Sequence, residues 1–183
     1  MSDRLFFPVI ETERLALKPL VKEDAAKLLG IFSDPEVMQY WNTAPWSKME
    51  DALDFIQHCE DAMRRQESLV LGIFLKSTAE LVGKCMLFSF HRESRRAEIG
   101  FGLCRSCWGK GYIYEAGQAL IHYGFDSLGL RRLEAEIDPA NKASAKALQK
   151  LGFAQEGLLR QRWEVDGVVS DSALYGRLVT DPT

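Results

Sequence analysis

The chain has 183 residues, 46% of them hydrophobic, so it can bury a sizeable core as one domain spanning residues 1–183. Its formal net charge of -3 and pI near 5.7 provide no general attraction to nucleic acid or to an anionic membrane. No apolar run reaches the roughly 18 residues of a membrane span, and the apolar part of the N-terminus is too short for a signal peptide. We therefore expect a cytoplasmic protein with no nucleic-acid or membrane partner, and a homodimer is left open.

The first hundred residues alternate strands and helices, without a linker or an internal repeat. Apolar alternation between turn residues predicts strands at 15–20, 68–76, 81–91 and around Glu98. Helical spacing predicts two helices, over 23–32 and from about Lys48. Their predicted core-facing residues are Ala26, Leu29 and Phe32 in the first and Leu53, Ile56 and Met63 in the second.

The second half continues the alternation. A helix is predicted from Tyr112 through Leu128, where Gly129 is a typical C-cap, and a strand is predicted over 133–137. Asn141 is a typical N-cap for a helix that Gly152 stops. The predicted core-facing residues of these helices are Ile113, Ala116, Leu120, Gly124 and Leu128, then Ala143, Ala147, Leu148 and Leu151. Strands at 158–165 and 168–178 are joined by Asp166-Gly167, a strong hairpin signal, so the class is α/β with a mixed sheet.

Residues 97–111 carry the clearest functional signal, because an apolar strand runs into a turn with Gly109 and Gly111 and then directly into a helix. The first amides of a helix have no intrahelical partner, the helix dipole makes that end positive, and glycine lets a phosphate approach the main chain. The segment therefore predicts a site for a phosphorylated cofactor.

Two other phosphate-binding loops do not fit this segment. A Walker-type loop has four residues between its first glycine and its Gly-Lys pair, whereas six separate Gly102 from Gly109, and Gly111 follows where Ser or Thr is required. A dinucleotide-binding motif requires a third glycine at the position of Tyr114.

Cys104 and Cys107 form a C-x-x-C pattern ahead of the same helix, which suits a redox pair or half of a metal site. A structural zinc site needs two more ligands at comparable spacing, but Cys59 and Cys85 stand alone. A thioredoxin-like motif has an aromatic residue before its first cysteine, whereas here Trp108 follows the second. We interpret both cysteines as small residues in a turn and expect no metal.

Five segments occur in an order known from one family: 11–20, 97–100, 108–112, the helix start with Asn141 and Ser144, and 151–153. Over nearly the whole chain they resemble the GNAT superfamily of acyl-CoA N-acyltransferases, and within it the ribosomal-protein N-terminal acetyltransferases of the Rim type. The resemblance implies a mixed, mostly antiparallel central sheet flanked by helices, with splayed strands that hold acetyl-CoA as co-substrate. It also implies acetyl transfer to a primary amine, of a protein N-terminus or a small molecule, by direct attack in a ternary complex.

The resemblance also assigns binding residues. The main chain of Phe101, Gly102 and Leu103 would pair with the pantetheine arm, and the pyrophosphate would be held by the amides of Trp108, Gly109, Lys110, Gly111 and Tyr112. Asn141 would contact the pantetheine besides serving as N-cap. Ser144 would hydrogen-bond the departing sulfur, with an ordinary first-turn serine as the alternative. Many family members have a tyrosine acid where this chain has Leu148, so a tyrosine acid is not expected.

Amine acylation requires a base, because a protonated amine is not a nucleophile. Glu98 is the leading candidate, since by the resemblance its strand borders the acetyl group, and burial would raise its pKa. The alternative is a structural ion pair of Glu98 with Arg96 or Arg132. Glu164 is the reserve candidate, because parts of the Rim-type branch have a glutamate near this position, although the residue of this chain that aligns with that glutamate is Trp163. Asp171 is expected to have a structural role.

The acceptor is less defined by the sequence. Trp41, Trp46 and Phe55 fall in the region that usually covers the acceptor groove in such proteins, although aromatic residues are also common in cores. Two other functions are kept open: a CoA-binding regulatory module without turnover, and a thiol redox protein that uses Cys104 and Cys107.

Overall fold

A computed structural model describes residues 7–182 of the chain. One eight-stranded sheet runs through it. In chain order the strands are β1 (Ile10–Glu11), β2 (Leu15–Pro19), β3 (Leu69–Leu75), β4 (Leu81–His91), β5 (Arg96–Leu103), β6 (Arg132–Ile137), β7 (Ala154–Val165) and β8 (Val168–Leu178). Their order across the sheet is β1-β2-β3-β4-β5-β6-β8-β7.

Five α-helices and three shorter helical turns connect the strands of the described part. The α-helices are α1 (Ala25–Phe32), α2 (Pro35–Met38), α3 (Met49–Arg64), α4 (Tyr112–His122) and α5 (Lys142–Lys150). The turns are 3-10 segments at Lys22–Asp24 and Arg105–Cys107 and a π-helical segment at Tyr123–Ser127. None of the helices described for residues 7–182 is both long and apolar enough to cross a membrane.

The sheet splits between β5 and β6, which form its one parallel pair. Pairing between these strands covers three positions and stops at Glu98 opposite Glu134. Beyond that point β5 runs on to Leu103 and β6 to Ile137 without pairing to each other. A wedge-shaped opening therefore begins at Glu98, with main-chain N–H and C=O groups of β5 facing it. The predicted mixed, mostly antiparallel sheet with splayed strands is confirmed.

Alternation along β5 determines which helices cover each face of the sheet. Phe101 faces α4, since a Cβ added to Gly117 would lie 3.3 Å from the Phe101 ring and 2.7 Å from Leu151. Gly102 faces α1, since a Cβ there would lie 2.7 Å from the ring of Phe32. The face with Glu98, Gly100 and Gly102 therefore lies on the side of α1 and α3, and the opposite face packs against α4 and α5.

The helices before the splay differ from the predicted patterns in which residues they bury. In α1 the buried residues are Ala25, Leu28, Ile31 and Phe32, whereas Ala26 is exposed and Leu29 is half-buried. The 3-10 turn before α1 has three residues per turn, which rotates the positions that face the core relative to a continuous α-helix. In α3 the small Ala52 is buried and Leu53 is 38% exposed, while Ile56 and Met63 are buried as predicted.

The helix predicted over 112–128 is interrupted. Helix α4 ends at His122, and in the following π-helical turn the Leu128 amide donates to the Tyr123 carbonyl at 3.1 Å. Gly124 lies close to the sheet, where an added Cβ would be 3.3 Å from Leu87, and Gly129 ends the turn at φ +66°. The turn inserts one extra residue per helical turn, which lets the chain follow the sheet before β6 begins.

The C-terminal elements agree more closely with the predictions. The Asn141 carboxamide oxygen accepts the Ser144 amide at 3.0 Å, so the predicted N-cap is confirmed, although Ala143 in the first turn of α5 is exposed. Asp166 and Gly167 have φ +49° and +78° in the predicted hairpin turn. Strand β7 begins at Ala154, four residues earlier than expected, and β1 and α2 were not predicted because they are too short for a periodic pattern.

Candidate functional site

The loop between β5 and α4 has the geometry predicted for an anion site. Gly109 and Gly111 have φ +74° and +80°, a left-handed conformation that favours glycine, and Gly111 is the N-cap of α4. Among the described residues, the amides of Gly109, Lys110, Gly111 and Tyr112 have no hydrogen-bond acceptor, because they precede the first closed turn of the helix. The loop thus presents a run of free N–H groups at the positive end of the helix dipole.

Trp108 and Leu103 are already engaged in internal hydrogen bonds. The Trp108 amide donates to the Arg105 carbonyl at 3.1 Å, and its indole N–H donates to the Leu103 carbonyl at 2.9 Å. The free donors of the loop are therefore Gly109 through Tyr112. Trp108, which is 48% exposed, covers the end of β5 with its ring.

Three residues that sequence reasoning gave no role hold this loop against the start of the sheet. The Glu115 carboxylate accepts hydrogen bonds from the Thr12 hydroxyl at 2.6 Å and from the Arg14 amide and Nε at 2.7 Å each. Arg14 Nη1 also donates to the Lys110 carbonyl at 3.0 Å. We call this set, Thr12, Arg14 and Glu115, the Arg14 clamp. Burial would raise the pKa of Glu115, but the hydrogen bonds from Thr12 and Arg14 outweigh it and lower the pKa.

Glu115→Gln is expected to weaken binding of the expected co-substrate, acetyl-CoA, several-fold and to lower Tm by about 4 °C, since the clamp loses its charge-assisted hydrogen bonds. A carboxylate with a lowered pKa stabilises the folded state above its usual pKa, and this contribution is lost as pH falls through its folded value. The difference in Tm from wild type should therefore be present at neutral pH and shrink in acid. Thermal melts with and without acetyl-CoA measure both effects. Glu67→Gln, which removes the partner of Arg65 in an exposed ion pair, is the control and should change neither.

Asn141 and Ser144 lie at the start of α5. Because the Asn141 oxygen caps the helix, its amide nitrogen is the part left to contact a ligand. Ser144 is half-buried, and no hydrogen-bond partner of its hydroxyl is described within residues 7–182. Leu148 is 4% exposed and packs in the core, so that position carries no acid.

Glu98 lies where β5 and β6 separate, and it is not tied into an ion pair in the described structure. Arg96 and Arg132 instead contact Glu134 at 2.8 and 2.7 Å, so the structural ion pair of Glu98 considered from the sequence is wrong. Ser89, at φ +52° where the β4–β5 register is irregular, acts on Glu98 and favours its charged form, which lowers the pKa. A carboxylate without a salt bridge at this position remains available for proton transfer.

The environment of Glu98 raises its pKa. Burial is the largest cause, and the negative charges of Glu136 and Glu134 reinforce it; Ser89 and the positive charge of Arg96 oppose it. Glu136, on β6 beyond the last paired position, accepts hydrogen bonds from the Trp163 indole at 2.5 Å and the Ser172 hydroxyl at 2.7 Å. Two carboxylates, Glu98 and Glu136, therefore stand on neighbouring strands at the opening, and sequence reasoning had missed Glu136.

The reserve candidates lie on the β7–β8 hairpin. Glu164 is exposed, two residues from the turn at Asp166, and pairs in the ladder with Val169. Asp171 accepts the Gln161 amide at 2.8 Å where the register of β7 is irregular, which is the structural role expected of it. The hairpin reaches the site through Trp163, which orients Glu136.

The aromatic residues expected over the acceptor groove are half-buried on the same face of the sheet as Glu98. Trp41 and Trp46 contact the Phe32 ring with centroids 5.7 and 5.2 Å apart, and Trp46 lies 5.1 Å from Phe55. A Cβ added to Gly102 would lie 3.0 Å from Trp41, so this cluster leans directly on β5.

The cysteines are unpaired thiols. Cys104 is half-buried and Cys107 is buried, on either end of the Arg105–Cys107 turn, and burial raises the pKa of Cys107. Within residues 7–182 no group of three or more His, Cys, Asp or Glu side chains is arranged to hold a metal ion.

The functional residues that sequence reasoning missed differ in how strongly the sequence indicates a role for them. Thr12 and Arg14 belong to the 11–20 segment, and Glu115 is an acid in the first turn of a helix, a position that favours acids. Glu136 alternates with core residues on a predicted strand, which marks the face it points to but not its neighbours. Only the sheet order brings it beside Glu98.

Most of the chain matches a known protein family. Residues 14–154 match the family model described as an acetyltransferase (GNAT) domain. The chain is 41% identical to the uncharacterized N-acetyltransferase p20 of Bacillus licheniformis, over 91% of this chain and 94% of that protein. It is 27% identical to the spermidine N(1)-acetyltransferase of Escherichia coli, over 82% of this chain and 78% of that protein.

A solved structure shares the fold. RimL, a ribosomal L7/L12 α-N-protein acetyltransferase in complex with coenzyme A, superposes with a TM-score of 0.85. The superposition covers 94% of this chain and 98% of RimL at 20% sequence identity, which shows a common fold.

Proposed function

The chain belongs to the GNAT acetyltransferase family, whose co-substrate is acetyl-CoA, and from this premise we propose that it acetylates a primary amine by direct attack in a ternary complex. The acceptor amine belongs to a peptide N-terminus or to a small molecule. The observation that carries this proposal is the position of Glu98, a carboxylate without a salt bridge to any residue of 7–182, at the point where β5 and β6 separate.

The residues around the opening fit acetyl-CoA. The unpaired edge of β5 from Phe101 to Leu103 offers main-chain groups to the pantetheine, apart from the Leu103 carbonyl that Trp108 occupies. The free amides of Gly109 to Tyr112 suit the pyrophosphate, and the exposed Lys110 side chain adds a positive charge. The Arg14 clamp keeps these amides at the edge of the sheet.

Glu98 is proposed as the base that takes the proton from the acceptor ammonium, directly or through a water molecule. Its raised pKa brings it closer to the working pH, which improves proton acceptance from an amine. Glu136 is held by Trp163 and Ser172 and pairs with Arg162 at 3.5 Å, so it stays in place beside Glu98 and helps to raise the pKa of Glu98.

Ser144 is proposed to donate a hydrogen bond to the sulfur as it leaves, since its hydroxyl has no described internal partner. Such a bond strengthens as negative charge develops on the sulfur, so it would favour the transition state over the bound thioester.

An acceptor panel with detection of released CoA thiol tests the proposal. The panel contains spermidine, ethanolamine and short peptides with free N-termini, and a peptide blocked by N-terminal acetylation is the matched control. Thiol release with one class of free amine and none with the blocked peptide is the expected result. Binding of acetyl-CoA without thiol release for any amine would contradict the proposal and favour a regulatory module.

The panel also separates transfer from thiol chemistry. The double variant Cys104→Ser, Cys107→Ser should keep thiol release within about twofold of wild type, because neither sulfur takes part in direct transfer. Loss of activity in a folded double variant would favour the redox function instead.

A further inference from the structure

Lys84 is a buried lysine that the proposed chemistry does not use. It lies within β4 opposite Gly102 of β5, and only 4% of the residue is exposed. Four aromatic rings surround its ammonium, with centroids at 3.9 Å for Phe55, 4.4 Å for Phe32, 4.9 Å for Trp41 and 5.5 Å for Trp46. Within residues 7–182 no carboxylate or hydrogen-bond acceptor contacts it, so ring faces are its described partners.

The four rings come from three separate parts of the chain. Phe32 ends α1, Trp41 and Trp46 lie in the segment between α2 and α3, and Phe55 is in α3. One ammonium therefore joins the α1–α3 layer to the middle of the sheet. Hydrophobic packing alone does not require the charge, because methionine has a similar length and would fill the space without a desolvation cost.

This cage lies on the same face of the sheet as Glu98, where the acceptor groove is expected. Trp41 leans on Gly102, which lies on the same face of β5 as Glu98 and about 13 Å from it along the strand. The two indoles are half-buried, whereas only 4% of Lys84 behind them is exposed. Trp41 and Trp46 thus form a wall with one side toward solvent and the other anchored on Lys84.

We propose that Lys84 is a positioning residue that holds Trp41 and Trp46 in place as one wall of the acceptor groove. This role rests on the proposed function. The attraction between an ammonium and a ring face disappears when the amine becomes neutral, so the wall loses its anchor in the deprotonated protein. Weaker acceptor binding, with unchanged chemistry at Glu98, is the consequence.

The protonation of Lys84 falls in an accessible pH range, since burial lowers its pKa to about 8. Among the described residues, Cys59 of α3 is the ionisable group that opposes this effect, since its charge raises the pKa of Lys84. Burial raises the pKa of the Cys59 thiol itself to about 12. Lys18 of β2 lies across the same row of the sheet, opposite Gly72, two strand spacings or about 10 Å away.

Tryptophan fluorescence tests the anchor without an acceptor. In a Trp108→Phe, Trp163→Phe background only Trp41 and Trp46 emit. Emission and acrylamide quenching should change with a midpoint near pH 8, and Lys84→Met should abolish the transition and expose the indoles at every pH. Lys18→Met is the matched control, because Lys18 lies 4.3 Å over the single ring of Phe74, and it should leave the transition intact.

Steady-state kinetics in the wild-type background test the consequence for the acceptor. With spermidine or a free N-terminal peptide, whichever the panel shows to be turned over, Lys84→Met should raise the acceptor KM about tenfold. The values of kcat and of KM for acetyl-CoA should stay within about twofold of wild type.

The outcomes separate this role from the proposed function. A folded Lys84→Met whose indole emission and acrylamide quenching match those of wild type at every pH overturns the role of Lys84. A folded Lys84→Met with an unchanged acceptor KM shows that the lysine only fills the core and also overturns it. A normal fluorescence titration with no turnover of any amine refutes the proposed function and leaves the anchoring of the indoles supported.

Discussion

Glu98→Gln is expected to lower kcat about 100-fold at neutral pH while acetyl-CoA affinity stays near that of wild type. Glutamine keeps the shape of the side chain, but it cannot hold the proton of the acceptor amine. Because no ion pair of Glu98 is described, the substitution leaves no charged partner unpaired, and the fold should be retained.

The pH dependence identifies the cause of this loss. The variant depends on acceptor that is already neutral, and the neutral fraction grows with pH, so its kcat should approach that of wild type near the pKa of the amine. Initial rates at saturating substrates between pH 6 and 10 measure the two profiles. A structural role of Glu98 would instead reduce Tm and give a constant deficit in rate.

Glu164→Gln is the matched control, since it makes the same chemical change on the exposed hairpin. It should leave the profile unchanged. If Glu164→Gln shows the rescue at high pH and Glu98→Gln does not, the base is Glu164 and the assignment of Glu98 is wrong. If neither variant alters the profile, proton transfer goes to solvent.

Gly111→Asp is expected to abolish the stabilisation of the fold by acetyl-CoA. A saturating ligand at 100 times its Kd stabilises the native state by about 2.7 kcal/mol, so wild type should show a clear rise in Tm. In the variant a carboxylate stands among the free amides of the loop, where it repels the pyrophosphate. Its Cβ would also lie 3.4 Å from Arg14 Nη2, so the new charge can draw the guanidinium away from the clamp.

Two controls separate charge from backbone strain in this experiment. Gly111→Ala has the same unfavourable φ of +80° without the charge, and it should lower Tm while keeping part of the ligand-induced rise. Gly167→Asp places the same residue at φ +78° in the hairpin turn, where no atom lies within 4 Å of the new Cβ, and should respond to acetyl-CoA like wild type. A normal ligand response in Gly111→Asp would mean that the loop does not hold the pyrophosphate.

Local features of the site were predictable because they depend on neighbours in the chain. The left-handed glycines at 109 and 111, the Asn141 cap and the Asp166-Gly167 turn each follow from the backbone preferences of one or two residues. The stripes of α1 and α3 were less predictable, because Ala52 and Leu53 both fit a helical period and packing against the sheet decides between them.

The sequence by itself determined the strand–loop–helix unit that presents free amides, the N-cap of α5 and the family resemblance, since these are written in contiguous residues. Only the tertiary structure decided which distant residues meet: Glu115 with Thr12 and Arg14, Glu136 with Glu98, and Lys84 with rings from three segments. The physical reason is that a pattern of burial tells which face a side chain points to, whereas its partners depend on the order and register of strands far apart in the chain.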